Sequence, residues 1–160
     1  MQEEDLVAKV NKHGTGSAGE FYVLAQLAQR GYIVGKTDAG QLLVDIIATR
    51  LDEKTKLPRK TANIQVKTRS SPGDGWIMAK KNEAYCEDLW YVLVQLNGSD
   101  QLPDFYVFHS SEIGPVIQRD HANWLQNAKR NGDPRKDSNM RRYRPNASQL
   151  EKAKNNWEKM

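Results

Sequence analysis

The chain has 160 residues, 38% of them hydrophobic, so it is long enough to bury one core and short for two. Its 24 Lys and Arg residues exceed its 20 Asp and Glu residues, which gives a net charge of +4. One cysteine, Cys86, excludes a disulfide framework within the chain, and the three histidines lack the spacing of a zinc site. We expect a single domain over residues 1–160.

The N-terminus and the apolar runs argue against a membrane or secreted protein. Residues 1–10 carry Glu3, Glu4 and Asp5 and no long apolar stretch, which excludes a typical secretory signal. The longest apolar run, residues 89–96, is too short to cross a bilayer. We therefore expect a cytoplasmic protein.

The first predicted element is a helix over residues 17–30. Thr15 or Ser17 can cap its start, and Gly31 suits the left-handed conformation that ends a helix. The predicted apolar stripe consists of Phe21, Leu24, Leu27 and Ala28. At about 100° per residue Glu20 falls inside this stripe, so the helix directs one carboxylate toward the protein interior.

Three strands are predicted next, at residues 31–36, 42–49 and 61–69. In the second, Asp45 is the only ionisable residue of an aliphatic run, the pattern of a strand covered on both faces. In the third, Gln65 and Lys67 alternate with Ile64 and Val66, so an amide and an ammonium project from one face. Because a buried charge must be paired or bind a metal, we expect Asp45, Gln65 and Lys67 to meet.

Glu20, Asp45 and the run Gln65-Val66-Lys67, in this order, resemble the PD-(D/E)XK nuclease superfamily, with a pattern most like the archaeal Holliday junction resolvase and Mrr-like branch. The resemblance implies an α/β domain of the restriction-endonuclease-like fold, with a mixed central β-sheet flanked by helices. Two residues depart from the family pattern. Val44 stands at a frequent proline position, and Gln65 replaces the usual glutamate, as in the Gln-X-Lys version of the Mrr-like branch.

The resemblance also implies a function, a metal-dependent endonuclease that hydrolyses phosphodiester bonds in double-stranded or branched DNA. Asp45 would hold Mg²⁺ or Mn²⁺, Gln65 would stand in for the second acidic ligand, and Glu20 would bind or orient the metal. The Val66 carbonyl is a further oxygen ligand of the kind that Mg²⁺ prefers. Lys67 would act at the reacting phosphate, either as a cation beside the developing charge or as a proton acceptor.

The same residues allow other interpretations. Asp45 and Lys67 could form a structural ion pair, with Glu20 an exposed carboxylate near the start of a helix. The fold could also serve as a noncatalytic nucleic-acid-binding or assembly module, in which Gln65 marks the loss of catalysis. A third alternative is a partner protein recognised through the C-terminal segment.

Basic charge is concentrated at the C-terminus, and this bears on DNA binding. Residues 129–160 hold ten Lys or Arg against four Asp or Glu, a net charge of +6. A second basic cluster surrounds the polar connection at residues 52–59, between the two motif strands. Phosphate contacts supply most nonspecific affinity for nucleic acid. The residues that we predict to contact DNA are Arg59, Lys60, Arg69, Arg141, Arg142 and Arg144.

The remaining predictions complete the domain. The loop at 70–75 either contacts substrate or is a plain turn beside a packed Trp76. We predict a helix at 79–88, strands at 89–96 and 104–109, a helix at 110–126 interrupted near Gly114-Pro115, a basic loop or mobile segment at 129–145 and a terminal helix at 146–159. Because one site per chain cuts one strand, we also predict a homodimer.

Overall fold

The computed structural model describes residues 12–38 and 43–160. Leu42, the first residue of the second predicted strand, and the N-terminal residues 1–11 lie outside the described residues. No helix in the described part of the chain is long and apolar enough to span a membrane.

A five-stranded mixed sheet forms the centre of the fold, in the order β1-β2-β3-β5-β6. Its strands are β1 (Tyr32–Lys36), β2 (Ile46–Leu51), β3 (Pro58–Arg69), β5 (Leu89–Gln95) and β6 (Asp104–His109). The pair β3–β5 is parallel, and the other neighbouring strands are antiparallel. A second, two-stranded antiparallel sheet pairs β4 (Trp76–Ala79) with β7 (Met140–Tyr143).

Helices cover both faces of the central sheet, as the sequence predicts. On one face α1 (Lys12–Gln29) contributes Val23 and Leu27 to a core with Ile64 and Val66 of β3. On the other face α2 (Ser110–Gln126) packs with the small sheet against β5. The predicted α/β class, a mixed central sheet flanked by helices, is therefore confirmed.

The first helix buries only part of the predicted stripe, since Leu27 is buried and Leu24 packs against the core, but Phe21 and Ala28 do not. Phe21 is 62% exposed and Ala28 is exposed, whereas the buried positions recur every four residues at Thr15, Gly19, Val23 and Leu27. A side chain added at Gly19 would overlap Thr68 of β3, so the helix lies unusually close to the sheet at this point. The prediction followed the large apolar residues, but this close approach fixes the rotation of the helix instead.

Two further helix predictions are wrong in detail. Residues 79–88 contain only a short 3₁₀ turn, Lys80–Glu83. Residues 110–126 form one continuous helix, because Pro115 lies in its second turn, where its missing N–H removes a single helical hydrogen bond. Gly114 beside it lets the helix approach the Glu83 carbonyl, where a Cβ atom would lie 2.6 Å from that oxygen.

The C-terminal predictions also need correction. The segment 129–145 is not a loop throughout, because its residues Met140–Tyr143 form β7. The terminal helix α3 (Ala147–Ala153) is shorter than predicted and precedes a 3₁₀ turn at Trp157–Lys159. The helix ends because the next residues pair with β6, where the Asn155 N–H donates to the Phe105 carbonyl at 2.9 Å.

Candidate active site

Asp45 directly precedes β2, at one end of the central sheet. Its backbone N–H donates to the Ile64 carbonyl at 2.8 Å, and its carbonyl accepts from the Thr37 N–H at 2.9 Å. Its carboxylate atom Oδ2 accepts two further bonds, from the Val66 N–H and from the Gln65 side-chain amide, both at 2.7 Å. The structure thus brings Asp45 and Gln65 together, as the strand pattern predicts, and adds the backbone N–H of Val66.

A chain of buried side-chain amides fixes the orientation of Gln65. The Ala79 backbone N–H donates to Asn82 Oδ1 at 2.8 Å, and Asn82 Nδ2 donates to Gln65 Oε1 at 3.2 Å. A backbone N–H can only donate, so it sets the direction of every later bond in this chain. Gln65 must therefore turn its nitrogen toward Asp45 and its oxygen toward Asn82, away from the position of a shared cation.

Lys67 lies on the same face of β3 as Gln65 and is partly buried. Burial lowers the pKa of its ammonium from the ordinary value of 10.5; the charge of Lys81 acts in the same direction, and the charge of Asp45 opposes both. Among the described ion pairs none includes Lys67, so the structure does not contain the Asp45–Lys67 pair of the alternative interpretation. Lys67 is a cation whose burial is not offset by a bonded carboxylate.

Glu20 reaches the same end of the sheet from helix α1. Its side chain is 22% exposed, and its Oε2 atom lies 2.7 Å from Lys36 Nζ. Lys36 pairs with Ile46, the neighbour of Asp45 along the chain. The recorded partner of Glu20 is therefore Lys36, and the structure records no bond from Glu20 to Asp45, Gln65 or Lys67.

Two oxygens beside Asp45 are the groups that would hold a magnesium ion with most of its water retained. Asp45 Oδ1 has no hydrogen-bond partner among the described residues. The Val66 carbonyl lies on the same side of β3 as the Val66 N–H, toward Asp45, because both groups of one strand residue point to the same neighbouring strand. Within the described residues no group of three His, Cys, Asp or Glu could hold a metal. One carboxylate with retained waters is a usual magnesium environment.

Two of the predicted DNA-contacting arginines bind partners within the chain. The Arg141 side chain is only 4% exposed; it pairs with Glu83 and donates to the Ser138 carbonyl at 2.7 Å. Arg69 stacks on the Trp76 ring, with its guanidinium carbon 3.6 Å from the ring centroid, and donates to Gln95 Oε1. The prediction for Arg141 is wrong because strand alternation in β7 turns it inward with Tyr143.

Arg59 and Lys60 are exposed but far from Asp45. They lie near the start of β3, opposite the end of β2, where the hairpin joins the two strands. Arg59 precedes Gln65 by six residues, which is about 20 Å along an extended strand. The basic cluster at this hairpin therefore lies at the end of the sheet opposite the site instead of flanking it.

The loop at residues 70–75 borders the site, as predicted. A groove of about 240 Å³ contains Lys67 and Arg69 in its lining, together with loop residues and Trp76. Two residues that the sequence analysis did not identify also belong to this region, Asn82 and Asp74. Each is a single polar residue in a polar stretch, so no periodicity or spacing could have indicated it.

Comparisons with known proteins add one structural likeness. No protein-family model matches the chain, and no curated protein matches it. The solved structure of a bacterial homing endonuclease, I-Ssp6803I, resembles it with a TM-score of 0.44 and 12% sequence identity, over 92% of this chain and 90% of that chain. A likeness of this size does not establish a shared activity.

Proposed function

We propose that this protein is a metal-dependent nuclease that hydrolyses phosphodiester bonds in DNA. The observation that carries the proposal is Lys67, a partly buried cation without a bonded carboxylate, two residues along β3 from the amide that binds Asp45. Burying such a charge costs stability, and groups with shifted pKa values concentrate at functional sites.

Asp45, Val66 and Lys67 have separate roles in the proposed hydrolysis. Asp45 Oδ1 and the Val66 carbonyl would hold Mg²⁺ or Mn²⁺, which would neutralise phosphate charge and supply an activated water. Lys67 would lie beside the reacting phosphate. In its protonated form it stabilises the developing negative charge, and its lowered pKa increases the fraction that accepts a proton.

In this proposal Glu20 and Gln65 position other groups and are not themselves ligands of the metal. Gln65 holds the Asp45 carboxylate through Oδ2 and leaves Oδ1 for the cation. Glu20 would orient a metal-bound water once its carboxylate exchanges Lys36 for that water. Gln65 itself becomes a ligand only if its amide rotates, which would set its nitrogen against the Asn82 nitrogen.

A second candidate function is a noncatalytic DNA-binding or assembly module on the same fold. The Gln65 amide favours it, because this group satisfies Asp45 Oδ2 without a cation. The two functions differ in their need for metal. In the module Asp45 is structural, and millimolar Mg²⁺ has no site to occupy.

Titration calorimetry with Mg²⁺ and with Mn²⁺ separates these functions. We expect wild type, titrated without DNA, to bind either cation and Asp45→Asn to bind neither. Asp52→Asn is the matched control, since Asp52 lies in the hairpin at the far end of the sheet and caps its own turn. Absence of binding to wild type at millimolar metal, or equal binding by Asp45→Asn, would replace the nuclease with the module.

A further inference from the structure

Two arginines converge on one exposed carboxylate beside the candidate active site. Arg144 forms a two-pronged pair with Asp74, with Nε 2.6 Å from Oδ1 and Nη2 2.7 Å from Oδ2. Arg142 Nη1 lies 3.1 Å from the Asp74 carbonyl and 3.4 Å from Oδ2. The side chain of Asp74 is 64% exposed, so this cluster is open to a ligand.

The local backbone presents these groups to solvent. Alternation along β7 turns Arg141 and Tyr143 inward and Arg142 outward, and Arg144 follows the strand. Gly75 adopts a φ of +86°, and a Cβ atom there would lie 2.3 Å from the Tyr143 carbonyl oxygen. The loop therefore packs backbone to backbone against β7, which fixes Asp74 next to both arginines.

The cluster joins the Lys67 groove to a second groove. Asp74 and Arg142 line the groove of about 240 Å³ that contains Lys67. They also line a groove of about 270 Å³ that contains His121 and Trp124. Among the described residues that line the Lys67 groove, Asp74 is the only acidic one, and the other charged residues are Lys67, Arg69 and Arg142.

A guanidinium fork binds a carboxylate and a phosphate with the same geometry. We propose that Arg142 and Arg144 form a binding site for a backbone phosphate of DNA, and that Asp74 occupies this site in the free protein. The phosphate displaces the carboxylate and draws the backbone along the groove toward Lys67. Asp74 thus regulates access to the candidate active site, and the inference rests on the proposed nuclease function for the identity of the ligand.

The test compares DNA affinity after the carboxylate is made neutral. Binding of a fluorescent DNA duplex is measured in chelator, so that no strand is cut. We expect Asp74→Asn to bind severalfold more tightly than wild type, with a salt slope steeper by about one unit, because one competing charge is gone. The matched control is Glu158→Gln, which removes an exposed carboxylate from another arginine, Arg50, with an N–O distance of 3.9 Å.

The arginines must account for the gain. Adding Arg144→Gln to Asp74→Asn should abolish it, and Arg144→Gln alone should weaken the binding of DNA to the otherwise unchanged chain. Equal affinities of Asp74→Asn and Glu158→Gln, or no loss in Arg144→Gln, would overturn the inference. Arg144→Gln keeps the test decisive even if Asp74→Asn misfolds.

Cleavage of DNA in Mg²⁺ is scored separately, so that the two proposals fail independently. If wild type cuts no DNA while Asp74→Asn binds it more tightly, the phosphate site stands and the nuclease fails. If wild type cuts DNA and Asp74→Asn shows no gain, the nuclease stands and the role of Asp74 is wrong.

Discussion

At the scale of single residues, Gln65 donates one of the two hydrogen bonds that Asp45 Oδ2 accepts. The substitution Gln65→Glu would place a second carboxylate 2.7 Å from Asp45 Oδ2, where the amide nitrogen now lies. Without metal the two like charges repel each other, and a cation between them removes the repulsion. We expect Gln65→Glu to melt below wild type in chelator, to regain stability in Mg²⁺, and to bind Mg²⁺ more tightly. Thermal unfolding in both conditions measures this.

The control for this substitution is Gln95→Glu. Gln95 is also buried in the sheet, but its oxygen accepts from Arg69, so an added carboxylate there already has a cation. Its melting temperature should not respond to Mg²⁺. Equal melting temperatures of Gln65→Glu in chelator and in Mg²⁺ would show that no metal binds beside residue 65.

Lys67 gives a prediction about stability and pH. Below its folded-state pKa, Lys67 is protonated in both the folded and the unfolded states, and folding carries the full cost of burying the ammonium. Between that pKa and 10.5 the unfolded chain binds more protons, so the free energy of unfolding rises with pH. Lys67→Met removes the cost. It should stabilise the protein most at neutral pH and progressively less as the pH approaches 10.5.

Urea denaturation at several pH values measures this gain, and Lys60→Met, an exposed position of the same strand, is the control. A Lys67→Met protein less stable than wild type at pH 7 would show that the ammonium is bonded and not merely buried.

The shared face of Gln65 and Lys67 was predictable because the pattern that places them lies within one strand. Period-two alternation places Gln65 and Lys67 on one face whatever surrounds the strand. Asn82 was not predictable, because its role comes from Ala79 and Gln65, which reach it only through the folded turn. The same alternation turns Arg141 inward with Tyr143, but only because residues 140–143 form a strand, which their polar composition does not indicate.

At the scale of elements, the contact between α1 and β3 sets the position of Glu20. A Cβ atom at Gly19 would lie 1.8 Å from Thr68 Oγ1, whereas at Gly16, on the same helix, it would meet nothing within 4 Å. Alanine is the better helix former by about 0.5–1 kcal/mol, so we expect Gly16→Ala to stabilise by that amount. Gly19→Ala should destabilise by about 1–3 kcal/mol, because the stiff Thr68 side chain must move.

Chemical denaturation of the two variants compares them directly. A stabilising Gly19→Ala would mean that the helix does not approach the sheet this closely. The contact also explains why the buried face of α1 differs in part from the predicted apolar stripe. Helix periodicity predicts which residues share a face, but here a glycine, which carries no hydrophobic signal, selects the face that packs on the sheet.

At the scale of the whole molecule, strand order brings the site together. The pairing of β1, β2 and β3 places Thr37, Asp45 and Val66 in one bonded group, although they are distant in sequence. The mixed sheet between helices was predicted through the family that the order of the motifs resembles. Arg59 and Lys60 are separated from Asp45 because β2 carries the chain away from the site to the hairpin, and both residues lie where β3 begins its return.

The number of chains in the active molecule is also predicted, as a homodimer. One candidate site per chain can cut one strand, so cutting both strands of a duplex or branched DNA requires two chains related by a two-fold axis. We expect sedimentation equilibrium to give twice the mass of the 18.2 kDa chain, in the free protein or with DNA bound. A single-chain mass in both conditions would contradict the dimer.

The most direct test of the nuclease proposal is cleavage of supercoiled plasmid and branched DNA in Mg²⁺ or Mn²⁺ by wild type, Lys67→Ala and the control Lys60→Ala. We predict that wild type and Lys60→Ala cut the DNA, that chelator stops them, and that Lys67→Ala binds the same DNA without cutting it. Wild type that cuts neither substrate with either metal, or Lys67→Ala that cuts as fast as wild type, would contradict the proposed active site.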